Sequence, residues 1–301
     1  MTSAWGVASE CERLRRETLA VAATTRQSEQ PARRADFGGP SPRGESARPT
    51  YRIPRPLLNT PEDQCLQSLL VFVRALRREA SLPATLGQLE LEMRFGTLQA
   101  NGHFVAGVPL QQYEEVARQL QKFGGWEAVT NDGEAVIYHY LLPGSREPLR
   151  TTTVADHPSG HLVRHETKQR LLGQKFGHTP RDLRQRGFDW RLSLSRERRV
   201  PAESIPGLLN PEHVRIMQRN SYQRGRWRYD LSIVWSGRTH DEAERCQTVT
   251  GVTQFELEVE CCDLAGLLAL SDRKVAQDIM FKVADLHRLA DTVTRSFIPL
   301  S

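Results

Sequence analysis

The chain changes its hydrophobic period along its length. Leu66, Leu69, Leu70, Val73 and Leu76 recur three and four residues apart, which predicts a helix. The helix starts at Thr60-Pro61-Glu62-Asp63, with Thr60 as N-cap and Pro61 at the first helical position. Over residues 89–96 the period falls to two. It returns to helical over 110–123, where Tyr113, Val116, Leu120 and Phe123 form one stripe and Gly124-Gly125 ends it. Beyond that point alternation predicts strands over 134–142, 149–154, 161–171, 188–200, 212–222, 227–235 and 251–260. Turns are expected at His157-Pro158-Ser159-Gly160 and at Arg224-Gly225. A last helix is predicted over 271–290, with Val275, Ile279, Val283, Leu286 and Leu289 on its apolar face.

This succession predicts a mainly β chain of the α+β type, built on one largely antiparallel, closed sheet with a few helices outside. Residues 1–50 hold few large apolar residues and grow rich in Pro, Gly, Ser and Arg, so they read as a disordered N-terminal tail. The folded domain is expected over 51–301, and no repeat at a fixed period is apparent.

Composition narrows the picture modestly. There are 41 basic and 36 acidic residues, a formal net charge of +5, which is weak as a signal for nucleic acid. Arginine far outnumbers lysine, and arginine is the better fork for phosphate oxygens. The five cysteines are unpatterned, which points to a reducing compartment rather than a disulfide framework. No apolar run is long enough to span a bilayer, so no membrane association is expected. The N-terminus lacks a signal-peptide stretch, and Glu10, Glu12 and Glu17 argue against a transit peptide.

The chemistry lies on the polar faces of the strands. In Phe255-Glu256-Leu257-Glu258-Val259-Glu260 the three glutamates share one face, with neighbours roughly 7 Å apart. Glu90 and Glu92 repeat the pattern beside Leu89, Leu91 and Met93. One such strand alone reads as a solvated edge. Two adjacent ones could hold a hard divalent cation such as Mg²⁺ or Mn²⁺. Basic strands complement them: Arg164, Glu166, Lys168 and Arg170 alternate, as do Arg191, Ser193, Ser195 and Glu197. Arg215 shares a face with Arg219, and Arg226, Arg228, Asp230 and Ser232 share another. A metal on carboxylates facing arginines and a lysine is what an anionic polyphosphate requires. No phosphate-loop glycine pattern, helical metal-ligand histidine spacing or nucleophile elbow competes with this.

Glu90-Leu91-Glu92-Met93-Arg94-Phe95-Gly96 and Phe255–Glu260 resemble the two glutamate motifs of the triphosphate tunnel metalloenzymes, in the branch of RNA triphosphatases of fungal, protozoal (including trypanosomatid) and viral mRNA capping. The resemblance covers residues 60–290 and is sharpest at these two motifs. It implies an antiparallel eight-stranded tunnel with a hydrophilic interior, and a metal-dependent hydrolase acting on 5′-triphosphate RNA. By that resemblance Glu90, Glu92 and Glu260 hold the metal, and Glu256 and Glu258 orient water and basic side chains. Glu197 positions the attacking water. Arg150, Lys168, Arg215 and Arg219 grip the triphosphate, Arg191 and Arg228 add to the basic lining, and Asp230 and Ser232 support it. The catalytic set is then Glu197, Glu258, Arg219 and Lys168. The chain departs from the family where three alternating cations are usual, because the middle position is Met217. The capping role implies a nuclear location and an mRNA guanylyltransferase as a partner. An inorganic tripolyphosphatase or nucleoside triphosphatase of the same fold, or a non-catalytic polyphosphate- or RNA-end-binding module, stays open at this point.

Overall fold

A strand that is charged on one face and apolar on the other must bury the apolar face without leaving the charged one dry and unpaired. The computed structural model describes residues 61–81, 83–141, 148–154, 162–177, 188–205, 210–250 and 253–295. The expected tail, the Thr60 cap and the 157–160 turn lie outside the described residues. The strands solve the problem by closing into a barrel whose inner face is the charged one. They are β1 (Leu89–Leu98), β2 (Phe104–Ala106), β3 (Ala128–Leu141), β4 (Pro148–Val154), β5 (Leu162–Phe176), β6 (Asp189–Arg199), β7 (His213–Arg224), β8 (Trp227–Gly237) and β9 (Gln254–Cys261). All pairings are antiparallel, in the order β2-β1-β6-β5-β4-β3-β7-β8-β9, and β1 also pairs with β9. Eight strands thus form the barrel and β2 extends β1 at its end. Closure removes the open edges that would otherwise template aggregation.

Register decides which side chains meet. Glu90, Glu92 and Arg94 of β1 lie opposite Ser195, Ser193 and Arg191 of β6. Glu92 and Arg94 also lie opposite Glu260 and Glu258 of β9. Arg228, Asp230 and Ser232 of β8 pair with Glu260, Glu258 and Glu256. Directly opposed residues share a face, so both glutamate motifs and the basic strands line one interior.

The apolar core lies outside the barrel wall. Leu91, Met93 and Phe95 of β1, Leu192 and Leu194 of β6, and Leu257 and Val259 of β9 turn outward. They pack beneath three helices: α1 (Pro61–Ala80) with Leu69, Val73 and Leu76; α2 (Leu110–Lys122) with Tyr113, Val116 and Leu120; and a long C-terminal helix (Asp272–Arg295) with Val275, Ile279 and Leu286. On another outer side Val214 and Ile216 of β7 pack against Ala243 of α3 (His240–Arg245). A short α4 (Leu264–Leu268) leads into the C-terminal helix, α5. Arg77 of α1 ties it to this corner, donating to Asp272 Oδ1 at 2.6 Å and to the Leu268 carbonyl at 2.7 Å.

The structure differs from the periodicity in instructive places. β3 begins at Ala128 rather than 134, because a bulge between Asn131 and Glu134 breaks the alternation. β5 continues to Phe176 past 171, because a bulge between Arg170 and Leu172 shifts the phase. β2 and α3 are too short to leave a periodic signal. Gly225 does turn the β7–β8 hairpin, with φ of 57°. Among the described residues no helix is long and apolar enough to cross a membrane.

Leu257 is buried outside the wall between two inward glutamates. Leu257→Ala should cost about 2–5 kcal/mol in urea unfolding, through the cavity it leaves.

Candidate active site

The inner face of β1 cannot leave Glu90 and Glu92 buried without cations. Lys168 of β5 reaches across to both, contacting Glu90 directly and lying 3.2 Å from Glu92 Oε2. The same ammonium is 3.4 Å from Glu197 of β6. Arg150 of β4 donates to Glu197 and to Glu166 of β5, each at 2.6 Å. Four strands, β1, β4, β5 and β6, therefore meet at one lysine and one arginine.

The opposite wall is paired as densely. Arg94 bridges Glu92 and Glu258 at 3.1 and 2.8 Å. Arg219 donates to Ser232 Oγ, Asp230 and Glu258 at 3.1, 3.3 and 3.2 Å. Arg228 forks onto Asp230 at 2.8 and 2.9 Å and reaches Glu260 at 2.5 Å. Arg215 donates to Glu256 at 2.8 Å. Asp230 and Ser232 are fully buried, so Arg219 and Arg228 are held by groups that cannot turn away to solvent.

These environments split the carboxylates. Burial pushes Glu90 up to about 8, with Glu92 adding to the rise and Lys168 opposing it. Burial also pushes Glu92 upward, but Arg94 and Lys168 outweigh it and hold Glu92 down at about 2. Glu90 and Glu92 share Lys168, so their titrations belong to the pair. Glu260 rises to about 7, burial again the largest cause, despite Arg228. Glu197 is lowered: burial would raise it, and Lys168 and Arg150 overcome that. Burial would lower Lys168, yet Glu92 and Glu90 raise it.

All the residues expected to form the site thus lie on the inner face, and the structure brings Glu90, Glu92, Glu260, Lys168 and Glu197 into one connected cluster. Arg191 also faces inward, opposite Arg94, but among the described residues no carboxylate contacts it. Sequence reasoning did not assign roles to Arg94 or Glu166. The signal for Arg94 was its phase, two residues beyond Glu92 on the same face. The register confirms that Met217 stands inward between Arg215 and Arg219. It belongs to an apolar panel in the tunnel wall, with Ala135, Ile137, Val154 and Val234. His139 and His213 also face inward, with rings 5.7 Å apart. His139 is lowered to about 4, by burial first and then by Arg215, His213 and Arg150.

The donor set fits a hard divalent cation. Glu90, Glu92 and Glu260 supply only carboxylate oxygens, from two paired strands, and each already draws a cation. Among the described residues, the one trio of histidine or acidic groups within 4.8 Å of one another is instead His240, Asp241 and Glu244, on the outer helix α3. The tunnel carboxylates stand further apart, with Lys168 and Arg228 among them.

A closed, eight-stranded antiparallel barrel with a charged interior and an apolar exterior defines the triphosphate tunnel fold. Comparison with known proteins agrees. Residues 162–294, from β5 into α5, match the family described as mRNA capping enzyme, beta chain. Among solved structures, the S. pombe Pct1 RNA triphosphatase is 17% identical, with a TM-score of 0.54 over 74% of this chain and 92% of that one. The same protein in complex with the Spt5 CTD is 18% identical, with a TM-score of 0.53 over 74% and 93%. The mimivirus capping enzyme triphosphatase is 13% identical, with a TM-score of 0.50 over 74% and 97%. No curated protein matches in sequence. The chain thus has the triphosphate tunnel fold, and its second half carries the sequence pattern of the capping enzyme beta chain family.

Two outcomes are expected. Arg94→Met should destabilise the protein by about 1–3 kcal/mol in denaturant unfolding, because it removes the cation shared by Glu92 and Glu258 and leaves each with one partner, Lys168 and Arg219. His139→Phe tests the depressed histidine. The folded pKa, about 4, lies below the ordinary value of 6.5, so between these the unfolded chain binds more protons and the wild type loses stability as pH falls. The melting temperature of His139→Phe relative to wild type should therefore rise as pH is lowered from 7 to 5; a constant difference would refute this.

Proposed function

We propose that the chain is a divalent-metal-dependent RNA 5′-triphosphatase, which removes the γ-phosphate of 5′-triphosphate RNA and leaves the 5′-diphosphate end required for capping. The observation that carries this is the meeting of Lys168 with Glu90, Glu92 and Glu197 inside a wall of arginines. The likeness to capping triphosphatases supports the choice of RNA.

Each side chain has a task on this reading. Glu90, Glu92 and Glu260 hold the cation. A metal held there would supply positive charge to neutralise and polarise the γ-phosphoryl group. Lys168, Arg150, Arg215, Arg219 and Arg228 exchange part of their carboxylate contacts for phosphate oxygens, balancing charge as it shifts to the leaving group. Glu258 and Glu256 keep Arg219 and Arg215 aimed, as Asp230 and Ser232 do for Arg219 and Arg228. Glu197, lowered in pKa and therefore ionised, orients the water and accepts its proton. The water oxygen bonds to the γ-phosphorus as the bond to the β–γ bridging oxygen breaks, releasing orthophosphate and 5′-diphosphate RNA. The product then passes to a guanylyltransferase, which places the chain in the nucleus.

The test is γ-phosphate release from 5′-triphosphate RNA with and without Mg²⁺ or Mn²⁺, with ATP and tripolyphosphate as competitors. Glu90→Ala and Glu258→Ala should each lower the metal-dependent rate by about 10² or more. No release from any triphosphate with either metal would sink the enzyme reading, leaving a triphosphate-binding module.

A further inference from the structure

The inner cations described above are held by carboxylates; Arg191 is not. At one stretch of the tunnel, β5 and β6 present Arg170, Gly173, Arg191 and Ser193 on the inner face, with Gly173 opposite Ser193. Ser193 is fully buried, and among the described residues its Oγ has no hydrogen-bond partner. The Nε of Arg191 is likewise buried without one. The Arg191 guanidinium lies over the Phe104 ring, 5.2 Å from its centre. Burial, then Arg170 and Arg94, lower its pKa, and Glu92 and Glu258 oppose the fall without reversing it. Gly173 leaves the wall open here, since a Cβ would meet only Arg170 Cδ, at 3.5 Å.

Buried donors left unpartnered are costly and persist where a ligand satisfies them. Hydroxyl and guanidinium donors with surplus positive charge suit a phosphate. Arg191 stands about 7 Å further along β6 than Ser193, which is level with Glu92. Arg170 is exposed. An anion between Arg170 and Arg191 therefore lies further along β6 than Lys168, which is level with Glu197.

We infer that Arg170, Arg191 and Ser193 form a second phosphate subsite, which takes the first phosphodiester of a polynucleotide behind its 5′-triphosphate. This rests on the proposed function and explains how the same tunnel would prefer RNA to a free nucleotide.

The experiment is equilibrium binding to the full chain, in Mn²⁺, of a short 5′-triphosphate RNA, ATP and tripolyphosphate across a salt series. Arg170→Ser should weaken RNA binding about fivefold and reduce its log–log salt slope by about one, with ATP and tripolyphosphate unchanged within about twofold. Arg170→Lys should retain the slope. Ser193→Ala should weaken RNA alone. Equal loss for RNA and tripolyphosphate would show that these groups serve the triphosphate itself, and no loss for RNA would show an idle wall; either overturns the subsite. Wild type that binds but never hydrolyses would sink the proposed function while leaving this comparison readable.

Discussion

The pairing of Lys168 with Glu90, Glu92 and Glu197 is the contact on which the rest of the interior depends. It joins β5 to its neighbour β6 and, past β6, to β1, and without it Glu90 and Glu92 on one face of β1 would repel. The same constraint runs around the wall. Arg94, Arg150, Arg219 and Arg228 each hold more than one acid or hydroxyl, as Arg219 does with Asp230, Glu258 and Ser232. Such networks are costly to break and weak as sources of net stability, because desolvation offsets most of the attraction. Their value lies in a preorganised set of cations and carboxylates that need little reorganisation to receive an anion.

Placing charge inside forces the apolar core outside. The outward faces of β1, β6, β8 and β9 are covered by α1, α2 and α5, so stability is separated from chemistry by the thickness of one strand. Leu257 packs outward while Glu256 and Glu258 beside it reach Arg215, Arg94 and Arg219 inward. A wall built this way tolerates change in the lumen, and Met217 is an instance. It lies between two cations, with Arg219 Nη2 3.7 Å from its sulfur, and joins four other apolar side chains rather than leaving a charge unpaired.

A large part of this was legible in the sequence, because a two-residue period writes the two faces of a strand directly into the residue order. The glutamate pairs, the inward arginines and the helical stripes of Val73 and Val283 all follow from spacing. The resemblance to tunnel enzymes adds expected roles for Glu197 and Lys168. At the Asn131/Glu134 and Arg170/Leu172 bulges the strands run past the bounds that alternation predicts, because a bulge changes phase without changing composition.

Which charges meet was decided by tertiary structure alone. Nothing local makes Lys168 a partner of Glu92, 76 residues away, or Arg150 a partner of Glu197, 47 away. Arg94 reads as the end of a strand until β9 is laid beside it, and Arg191 looks like Arg215 until one is found paired and the other is not. Residue order fixes the face on which each charge stands, since alternation is a property of a single strand. Register and closure fix its neighbours, because those come from strands far apart in the chain.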